Sequence, residues 1–318
     1  NLSSVIYSYI ENIFFKSFRK MIVAITGGTG FIGRNLLEKH LKNGDQVRLL
    51  SRKKTSIKNV QIFIGDLTKN NIDLSRFVDN VDILYHCAGE INNSLLMQEL
   101  HVDGTQRLIN ASFSKVKCWV QLSSVGAYGV CRNGIISEES IEKPSTIYER
   151  TKTESDFLVR NSGIPYVILR PSNIFGEMMP NLSLFKLINM LKKNLFFFIG
   201  SKNALVSYIH VDDVTDALIL CGKTKSAIKK TYNISQSITV VDMINSFLKG
   251  LSLEKKIIRL PEWPLRLLTI VFNIFPEFPL TSSRIDALTG TCLYDSNKIK
   301  KELGFVFNKK LEEQFISL

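Results

Sequence analysis

Two residues near the middle of the chain have the types and the spacing of a proton-transfer pair. The stretch from Tyr148 to Lys152 reads Tyr-Glu-Arg-Thr-Lys. On a helix, side chains four residues apart lie on one face, about one turn from each other. A neighbouring ammonium lowers the pKa of a phenol and makes the phenol usable as an acid or base. The spacing therefore predicts Tyr148 as an acid/base whose pKa is lowered by Lys152.

A glycine-rich segment near the start of the chain indicates a second kind of chemistry. From Thr26 to Gly33 the sequence reads Thr-Gly-Gly-Thr-Gly-Phe-Ile-Gly, between an apolar run at 21–26 and a segment with helical apolar spacing at 34–43. Glycines permit a sharp turn and let backbone amides approach a diphosphate at a helix N-terminus, and Gly33 lets the helix pack closely on the strand. The order of strand, turn and helix predicts a dinucleotide-binding turn.

The end of the second predicted strand indicates which dinucleotide is bound. The sequence there is Leu50-Ser51-Arg52-Lys53-Lys54. An acidic residue at this position would bond the adenosine ribose 2′-hydroxyl of NAD, whereas a cation suits the 2′-phosphate of NADP. Because three cations and no carboxylate stand here, NADP is the favoured cofactor. The alternative is NAD, bound beside a solvated basic loop without that contact.

Strand-like and helix-like segments alternate along the chain from Met21 onward. Short continuous apolar runs are typical of strands buried on both faces. Their alternation with helices predicts an α/β fold, a doubly wound parallel Rossmann sheet of six or more strands with its site at the carboxyl ends of the strands. The predicted strands are 21–26, 46–50, 60–64, 81–87, 117–122, 166–170 and 232–234, and the predicted helices include 34–43, 95–113 and one that follows Tyr148.

Composition excludes several classes of protein. The 318 residues are 45% hydrophobic and 22% charged, which is typical of a globular chain and excludes disorder, collagen and coiled coil. A net charge of +12 favours an anionic partner such as nucleic acid, a membrane surface or a phosphate-bearing small molecule. No nucleic-acid-binding motif accompanies the charge, so we expect a small-molecule substrate and no nucleic acid.

Cysteine and histidine usage gives no sign of a disulfide framework or a metal site. The five cysteines, Cys87, Cys118, Cys131, Cys221 and Cys292, include no close pair, and the four histidines are scattered. All five cysteines are therefore predicted to be packing residues in a reducing compartment, with no bound metal.

The termini and the apolar segments suggest a cytoplasmic protein with no transmembrane span. Residues 1–20 precede Met21 and are predicted to be an extension outside the fold, a frayed helix and not a secretory signal. The apolar stretch 265–275 is shorter than the roughly twenty residues that span a bilayer, so it is predicted to be a buried or interfacial helix.

Several further segments resemble one known family. Ser123 and Ser124 close a predicted strand and are followed by Tyr128-Gly129. Together with the glycine turn and the Tyr148–Lys152 pair, they resemble the extended short-chain dehydrogenase/reductase family, in its epimerase/dehydratase branch. The resemblance extends from Met21 to the C-terminus, through the segments 65–67, 87–89, 102–105, 169–176 and 208–214.

The resemblance implies a role for each matched residue. Tyr148 would be the catalytic acid/base, Lys152 its tuner and a ribose contact, and Ser124 (more than Ser123) the residue that hydrogen-bonds the substrate oxygen. Hydride would pass between a nicotinamide and the carbon of a secondary alcohol or ketone. The implied cofactor contacts are Gly27, Thr29, Gly30, Phe31, Ile32, Gly33, Ser51, Arg52, Asp66, Leu67, Ala88, Tyr148, Lys152 and Pro171.

Two histidines need separate interpretation. His101 departs from the family, which usually has Asn before the Val-x-Gly-Thr stretch that starts here at Val102. His210 lies in a family segment that is mainly structural, so it is not expected to be catalytic. Asp212 and Asp213 are expected to begin a helix, where acidic residues suit the helix dipole.

The substrate is open between two classes. Asn173, Asn181 and Arg284 match substrate contacts of nucleotide-sugar epimerases and ketoreductases, although Val206 stands where those enzymes have an arginine. A hydrophobic alcohol is the alternative, because 196–200 and 265–275 also resemble 3β-hydroxysteroid dehydrogenases and dihydroflavonol reductases. Core packing is nevertheless the favoured interpretation of the phenylalanines at 196–198.

The resemblance also implies an organisation and leaves one further class open. Residues 21–170 would bind NAD(P), and 171–318 would form mainly a smaller C-terminal substrate-binding part, with the chain returning to the first domain at about 205–235. A homodimer through the helix that bears Tyr148 is consistent with the family. A non-catalytic dinucleotide-binding regulatory subunit is the last alternative, but such proteins usually lack the Tyr or the Lys.

Overall fold

The computed structural model describes residues 20–70, 72–272 and 281–318. The extension predicted for residues 1–20 lies outside the described residues, except for Lys20. The apolar helix predicted at 265–275 is described only as far as Phe272. The strands are β1 (Ile22–Thr26), β2 (Gln46–Ser51), β3 (Val60–Ile64), β4 (Val81–His86), β5 (Val116–Leu122), β6 (Asn133–Ile136), β7 (Tyr166–Pro171), β8 (Asn173–Phe175), β9 (Phe198–Ile199), β10 (Leu205–His210), β11 (Lys230–Ile234), β12 (Gln236–Thr239), β13 (Arg259–Leu260) and β14 (Thr291–Tyr294).

The described helices separate most of these strands. They are α1 (Phe31–Lys42), α2 (Ser94–Met97), α3 (Gly104–Ser112), α4 (Ile147–Asn161), α5 (Ser183–Lys192), α6 (Val211–Lys223), α7 (Val240–Gly250), α8 (Glu262–Phe272), α9 (Ser282–Thr289), α10 (Asn297–Leu303) and α11 (Leu311–Ile316). A π-helical turn (Gln98–Asp103) joins α2 to α3, so the helix predicted at 95–113 is divided into three parts.

Seven strands of the described chain form one parallel sheet, in the order β11-β7-β5-β4-β1-β2-β3. The prediction of a doubly wound parallel sheet is confirmed. The strand predicted at 232–234 is β11, which brings the chain back to the edge of this sheet after the C-terminal elements have begun.

The alternating side chains of β1 explain why this strand is apolar throughout. Val23 and Ile25 point into a core shared with α1 and α6, whereas Ala24 points into the core on the other face, which holds residues of α3 and α4. A parallel sheet covered by helices on both faces requires apolar residues at every position of its central strands. The continuous apolar run at 21–26 is therefore a direct consequence of burial on both faces.

The order of the strands creates a crevice between β1 and β4. From β1 the chain builds outward through β2 and β3, and then returns to place β4 on the other side of β1. The turns that leave β1 and β4 consequently diverge in opposite directions. In open α/β sheets this is the position where ligands bind, outside the carboxyl ends of the strands.

Helix α4 begins at a capping box that fixes the position of Tyr148. The side chain of Thr146 accepts a hydrogen bond from the backbone N–H of Glu149 (3.2 Å), and the Glu149 carboxylate accepts one from the N–H of Thr146 (2.9 Å). Such reciprocal bonds satisfy two of the N–H groups that a helix leaves free at its start. Tyr148 therefore lies in a first turn whose beginning is defined by sequence.

The C-terminal elements form smaller sheets around their own apolar cores. The described strands pair as β12-β10-β8, β13-β9 and β14-β6. Phe196 and Phe198 contact each other edge to face and pack with one of these cores, in agreement with the favoured packing interpretation. In the part of the chain that the structure describes, no helix is both long and apolar enough to cross a membrane.

One prediction about the cysteines is wrong. Cys131 and Cys292 form a disulfide, with their Cα atoms 5.8 Å apart, whereas Cys87, Cys118 and Cys221 are free as predicted. The two partners are 161 residues apart in sequence, and the parallel pairing of β6 with β14 brings them together. Sequence spacing contains no sign of that pairing. Cysteine usage therefore no longer supports a reducing compartment.

The disulfide predicts a thiol count. Protein purified without reductant and then denatured should present three reactive thiols, and five after reduction, in a titration with a chromogenic disulfide reagent. Under the same non-reducing conditions Cys131→Ser should present four, because Cys292 loses its partner, and the control Cys118→Ser should present two. Five thiols without reductant would contradict the disulfide.

Candidate functional site

The candidate site is a trough at the carboxyl ends of the central strands. Two adjoining cavities of about 180 Å³ and about 360 Å³ form it, and both are lined by the glycine turn and by residues 87–89. The smaller cavity runs toward the ends of β2 and β3, and the larger one runs toward α4. The trough thus extends to both sides of the crevice between β1 and β4.

The glycine turn can follow its path only with glycine at two positions. Gly27 has a φ of +69°, and a Cβ there would lie 2.7 Å from the backbone of Cys87 and Ala88. A Cβ on Gly33 would lie 2.3 Å from the carbonyl oxygen of Gly27. These contacts agree with the predicted reasons for both glycines, namely the sharp turn and the close packing of α1 on β1. The same turn leaves the N-terminus of α1 facing the trough.

One cation, one hydroxyl and one carboxylate line the far end of the smaller cavity. Ser51, Arg52 and Asp66 lie there, at the ends of β2 and β3. Burial raises the pKa of Asp66, but hydrogen bonds from the N–H and hydroxyl of Thr68, together with the charge of Arg52, bring it below its ordinary value. Asp66 is therefore an anionic acceptor at the end of the trough.

The predicted proton-transfer pair lines the larger cavity. Tyr148 and Lys152 are on one face of α4, as their spacing predicted, and both border the trough. The ammonium of Lys152 is buried and donates to the carbonyl oxygen of Leu122 at the end of β5 (2.6 Å). Burial lowers the pKa of Lys152, while the charge of Asp156 opposes that effect.

The pKa of Tyr148 differs from its predicted direction. Burial raises the pKa of the phenol, the negative charge of Asp156 raises it further, and the nearby Ser124 side chain lowers it. The net direction is upward, so the prediction that Lys152 lowers this pKa is not met in this structure. The reason is that partial burial of the phenol and the charge of Asp156 together outweigh the influence of the neighbouring Ser124 side chain, which lowers its pKa.

The two neighbouring serines have different partners. Ser124 accepts from the N–H of Gly126 (3.0 Å) and lies near enough to Tyr148 to lower the pKa of the phenol, whereas Ser123 donates to Asp156 (2.7 Å). Asp156 also forms a buried ion pair with Arg170 (2.9 Å). The bond of Ser123 to Asp156 leaves Ser124 as the favoured partner of a substrate oxygen, although Ser123, and not Ser124, is among the residues that line the trough.

Asp156 is the residue that sequence reasoning missed. It is fully buried, and its charge raises the pKa of both Tyr148 and Lys152. It follows Lys152 by one further helical turn, so the spacing Tyr-x3-Lys-x3-Asp was a signal in the sequence. Other lining residues that were not predicted as contacts are Thr26, Leu50, Gly65, Cys87, Gly89, Ile91, Leu100, Leu122, Ser123, Ile174, Met178 and Pro180.

The structure brings nearly all predicted cofactor contacts to the trough. The exception is Pro171, at the end of β7, which does not line either cavity. The predicted residues that do line it are Gly27, Thr29, Gly30, Phe31, Ile32, Gly33, Ser51, Arg52, Asp66, Leu67, Ala88, Tyr148 and Lys152.

The predicted substrate contacts are more dispersed. Asn173 donates to the carbonyl of Ser207 (3.2 Å), and Asn181 accepts from the N–H of Ser183 (2.9 Å). Neither lines the trough, although their chain neighbours Ile174 and Pro180 do. Arg284 lies in the first turn of α9, also away from the lining of the trough.

The remaining histidine and aspartate predictions agree with the structure. His210 precedes α6 and accepts from the N–H of Asp212 (3.3 Å), a helix-capping role. Asp212 and Asp213 begin that helix, and the buried Asp213 accepts from the N–H of Asn308 (2.8 Å). His86 is buried, and it bridges Thr26 and Thr105 by hydrogen bonds of 2.7 Å and 3.0 Å.

Comparison with known proteins gives relatives in two substrate classes. The chain is 24% identical to a UDP-glucose 4-epimerase of Vibrio cholerae over 316 residues, covering 92% of this chain and 93% of that protein. It is 28% identical to a decarboxylating sterol-4-alpha-carboxylate 3-dehydrogenase of Mus musculus over 309 residues, covering 88% and 85%.

Solved structures share the fold. A UDP-glucuronic acid 4-epimerase from Bacillus cereus, in complex with NAD, superposes with a TM-score of 0.72 at 20% identity, over 93% of this chain and 94% of the other. MoeE5, in complex with UDP-glucose and NAD, gives 0.70 at 22% identity, over 92% and 95%. At these identities the likeness shows the fold alone.

A family model provides the assignment. The model described as the NAD dependent epimerase/dehydratase family matches residues 23–235. This span contains the glycine turn and the Tyr148–Lys152 pair that line the trough, so the resemblance predicted from the motifs is confirmed. The chain therefore belongs to the NAD-dependent epimerase/dehydratase family, within the extended short-chain dehydrogenases/reductases.

Proposed function

We propose that the protein is an NAD(P)-dependent oxidoreductase or epimerase that acts on a secondary alcohol or ketone through Tyr148, Lys152 and Ser124. One observation carries this proposal: Tyr148 and Lys152 border the same trough as the glycine turn. Tyr148 and Lys152 come from α4, and Ser124 comes from the turn after β5, where its neighbours Leu122 and Ser123 line the trough.

The residues of the trough fit a nicotinamide dinucleotide. The turn at Gly27 and Gly33 leaves no space for a side chain and exposes backbone at the N-terminus of α1, which suits a diphosphate. Asp66 and Leu67 would hold the adenosine end, and Lys152 would hold the ribose next to the nicotinamide. A bound nicotinamide supplies the redox chemistry, as donor or acceptor of a hydride.

The chain's own residues would handle the proton and the substrate oxygen. Ser124 orients that oxygen toward the phenol, and Tyr148 gives or takes the proton at its Oη atom. The raised pKa of Tyr148 keeps it protonated at neutral pH, which suits proton donation to a ketone oxygen.

Removing the phenol hydroxyl tests the acid/base role. Tyr148→Phe is expected to lower kcat by about 100-fold or more, the usual worth of a general acid or base, while NADPH binding, followed by fluorescence, stays close to wild type. Tyr166→Phe is the control, because Tyr166 begins β7 at the opposite end of the sheet from the trough. Normal turnover in Tyr148→Phe would remove Tyr148 from the mechanism.

NADP is the proposed preference within this NAD-dependent family. Arg52 lines the adenosine end of the trough, and its charge also lowers the pKa of Asp66 and Glu90. A guanidinium there would bind a 2′-phosphate by charge-assisted hydrogen bonds. No residue from 50 to 54 is acidic, so none of them can take the 2′-hydroxyl contact expected for NAD.

A single substitution tests this preference. Arg52→Ser should weaken NADPH binding by about tenfold, as expected from losing a hydrogen bond to a charged group, and should leave NADH binding nearly unchanged. Lys53→Ser is the matched control, because Lys53 is a neighbouring cation that does not line the trough. If wild-type protein binds NADH as tightly as NADPH, the proposed preference is wrong.

A nucleotide sugar is the proposed substrate class. The epimerase relative acts on UDP-glucose by its name and aligns with nearly the whole chain, and one of the matched structures holds UDP-glucose. Asn173 and Asn181 adjoin the rim of the trough through their neighbours Ile174 and Pro180. Both amides could turn toward a sugar diphosphate.

A hydrophobic alcohol or ketone, as in a 3β-hydroxysteroid dehydrogenase, is a second candidate. The wall of the larger cavity beyond Tyr148 is apolar, with Ile91, Ile174 and Met178, and Lys152 is the only charged side chain among its described lining residues. Val206 cannot replace the arginine that the first class would use for a phosphate. The sterol dehydrogenase relative belongs to this class by its name.

A thermal-shift screen distinguishes the two classes. With NADPH present, UDP-glucose and dTDP-glucose should raise the melting temperature if the first class is correct, since a ligand that binds only the folded state stabilises it. UDP alone should reproduce part of the shift. A shift with a 3β-hydroxysteroid and none with the nucleotides would assign the second class.

Two structural expectations remain proposals. We propose that residues 21–170 bind the dinucleotide and that 171–318 bind mainly the substrate, in line with the positions of the trough and of its apolar wall. A homodimer through α4 is supported by Phe157, which lies on this helix and is 61% exposed. Burying such a side chain in a partner subunit would be favourable.

A further inference from the structure

His101 lies at the point where three parts of the site meet. It occupies the π-helical turn between α2 and α3, and its side chain is 1% exposed. Its ring contacts the ring of Tyr148 edge to face, with centroids 5.7 Å apart. π-helical turns within helices occur frequently at functional sites, because the extra residue redirects a side chain. The proposed mechanism above gives His101 no role.

Both nitrogens of His101 have partners, and these partners define its tautomer. The backbone N–H of Glu90 is a donor, so Nε2 accepts from it (2.8 Å). Nδ1 therefore carries the hydrogen and donates to Oγ1 of Thr151 (2.8 Å), whose own hydroxyl donates to the carbonyl of Ile147 (3.0 Å). The imidazole thus bridges the loop after β4 to the first turns of α4.

The loop end of this bridge lies against the trough. Gly89 and Ile91, on either side of Glu90, both line it. The Glu90 carboxylate accepts from the N–H groups of Ile91, Asn92 and Asn93, at 2.8–3.1 Å, so the loop is closed on itself. His101 holds this closed loop by one backbone bond.

The helix end of the bridge lies between the two proposed catalytic side chains. Thr151 is buried, comes directly before Lys152 and is three residues from Tyr148. A bond at Thr151 therefore fixes the helical turn that carries the phenol, both in its position along the helix axis and in its rotation about that axis.

We propose that His101 is a positioning residue, which holds the Tyr148 turn of α4 at a fixed distance from the loop 89–91 of the trough. This inference rests on the proposed function, because it assigns His101 to the placement of the proposed acid/base. It goes beyond that function in naming the residue that aligns Tyr148 with Ser124.

His101 performs this role as a neutral ring. Burial, and then the charge of Lys152, lower the pKa of His101 to about 3. It therefore neither gives nor takes the transferred proton near neutral pH. Protonation would also place a hydrogen on Nε2, where the N–H of Glu90 already points.

The test uses the titration of Tyr148, followed as phenolate absorbance after subtraction of the matching Tyr148→Phe protein. His101→Phe keeps the ring contact and removes both hydrogen bonds. We expect the pKa of Tyr148 to rise by about one unit, because the Ser124 side chain, which lowers this pKa, loses its alignment with the phenol and one polar contact is worth about that much. Asp156 and Glu149, whose charges also raise this pKa, are unchanged in the variant.

A second variant and a control separate positioning from general damage. Thr151→Val removes the other half of the bridge with little change in shape and should shift the titration in the same direction. The double variant should shift no further than the larger single shift, because both remove one bridge. His101→Gln, which can still accept from Glu90, should restore part of the shift. The control is His40→Phe, which alters another fully buried histidine, bonded to Asp45 (2.7 Å) and absent from the trough lining.

The outcomes distinguish this inference from the function on which it rests. The inference is supported if His101→Phe and Thr151→Val raise the pKa of Tyr148, and if His40→Phe lowers the melting temperature but leaves the pKa of Tyr148 unchanged. It is overturned if both bridge variants titrate like wild type, or if their shifts simply add. Normal turnover in Tyr148→Phe would overturn the proposed function instead. Loss of turnover in that variant with no shift in the bridge variants would overturn only the role of His101.

Discussion

The buried ammonium of Lys152 is the constraint on which the site depends. Removing a charge from water costs several kcal/mol unless the charge is paired and hydrogen-bonded. Lys152 meets this demand with the carbonyl of Leu122 at 2.6 Å and with the nearby charge of Asp156. Because Leu122 ends β5, the bond connects α4 to the central sheet at the edge of the trough. The position of Tyr148 follows from this connection.

Asp156 extends that constraint into a charged network. It accepts from Ser123 and pairs with Arg170, which is itself buried and also pairs with Glu142 at 2.7 Å. The charge of Asp156 is balanced by Arg170, and the charge of Arg170 is also balanced by Glu142, whose side chain is partly exposed to solvent. Replacing one member would leave a neighbour buried and unpaired, which is the costly case. The network therefore fixes the relative positions of β5, α4 and β7.

The trough has different chemistry at its two ends, and this difference bears on which substrate class can bind. The end at β2 and β3 is charged, with Arg52 and Asp66, whereas the wall beyond Tyr148 is apolar, with Ile174 and Met178. The charged end agrees with a dinucleotide, which is common to the whole family. The apolar wall leaves the second ligand open, and the relatives divide between nucleotide sugars and sterols in the same way.

Local sequence determined the parallel sheet, the glycine turn and the Tyr148–Lys152 pair of the site. The strand predicted at 60–64 has the bounds of β3, because a short run with clear ends depends little on its surroundings. The glycine turn and the Tyr148–Lys152 pair could be predicted for the same reason, because each motif is a short continuous segment of the sequence. The spacing also predicted which face of α4 borders the trough, but it did not predict the direction of the pKa shift of Tyr148.

Tertiary structure alone decided the features that join distant segments. The disulfide of Cys131 with Cys292 depends on the pairing of β6 with β14, and the bridge from Glu90 through His101 to Thr151 depends on how α3 and α4 pack. Neither has a period or a motif in the sequence, because each is created by residues that are close in space and far apart along the chain. Burial acts in the same way, since it raised the pKa of Tyr148 through surroundings that no local spacing describes.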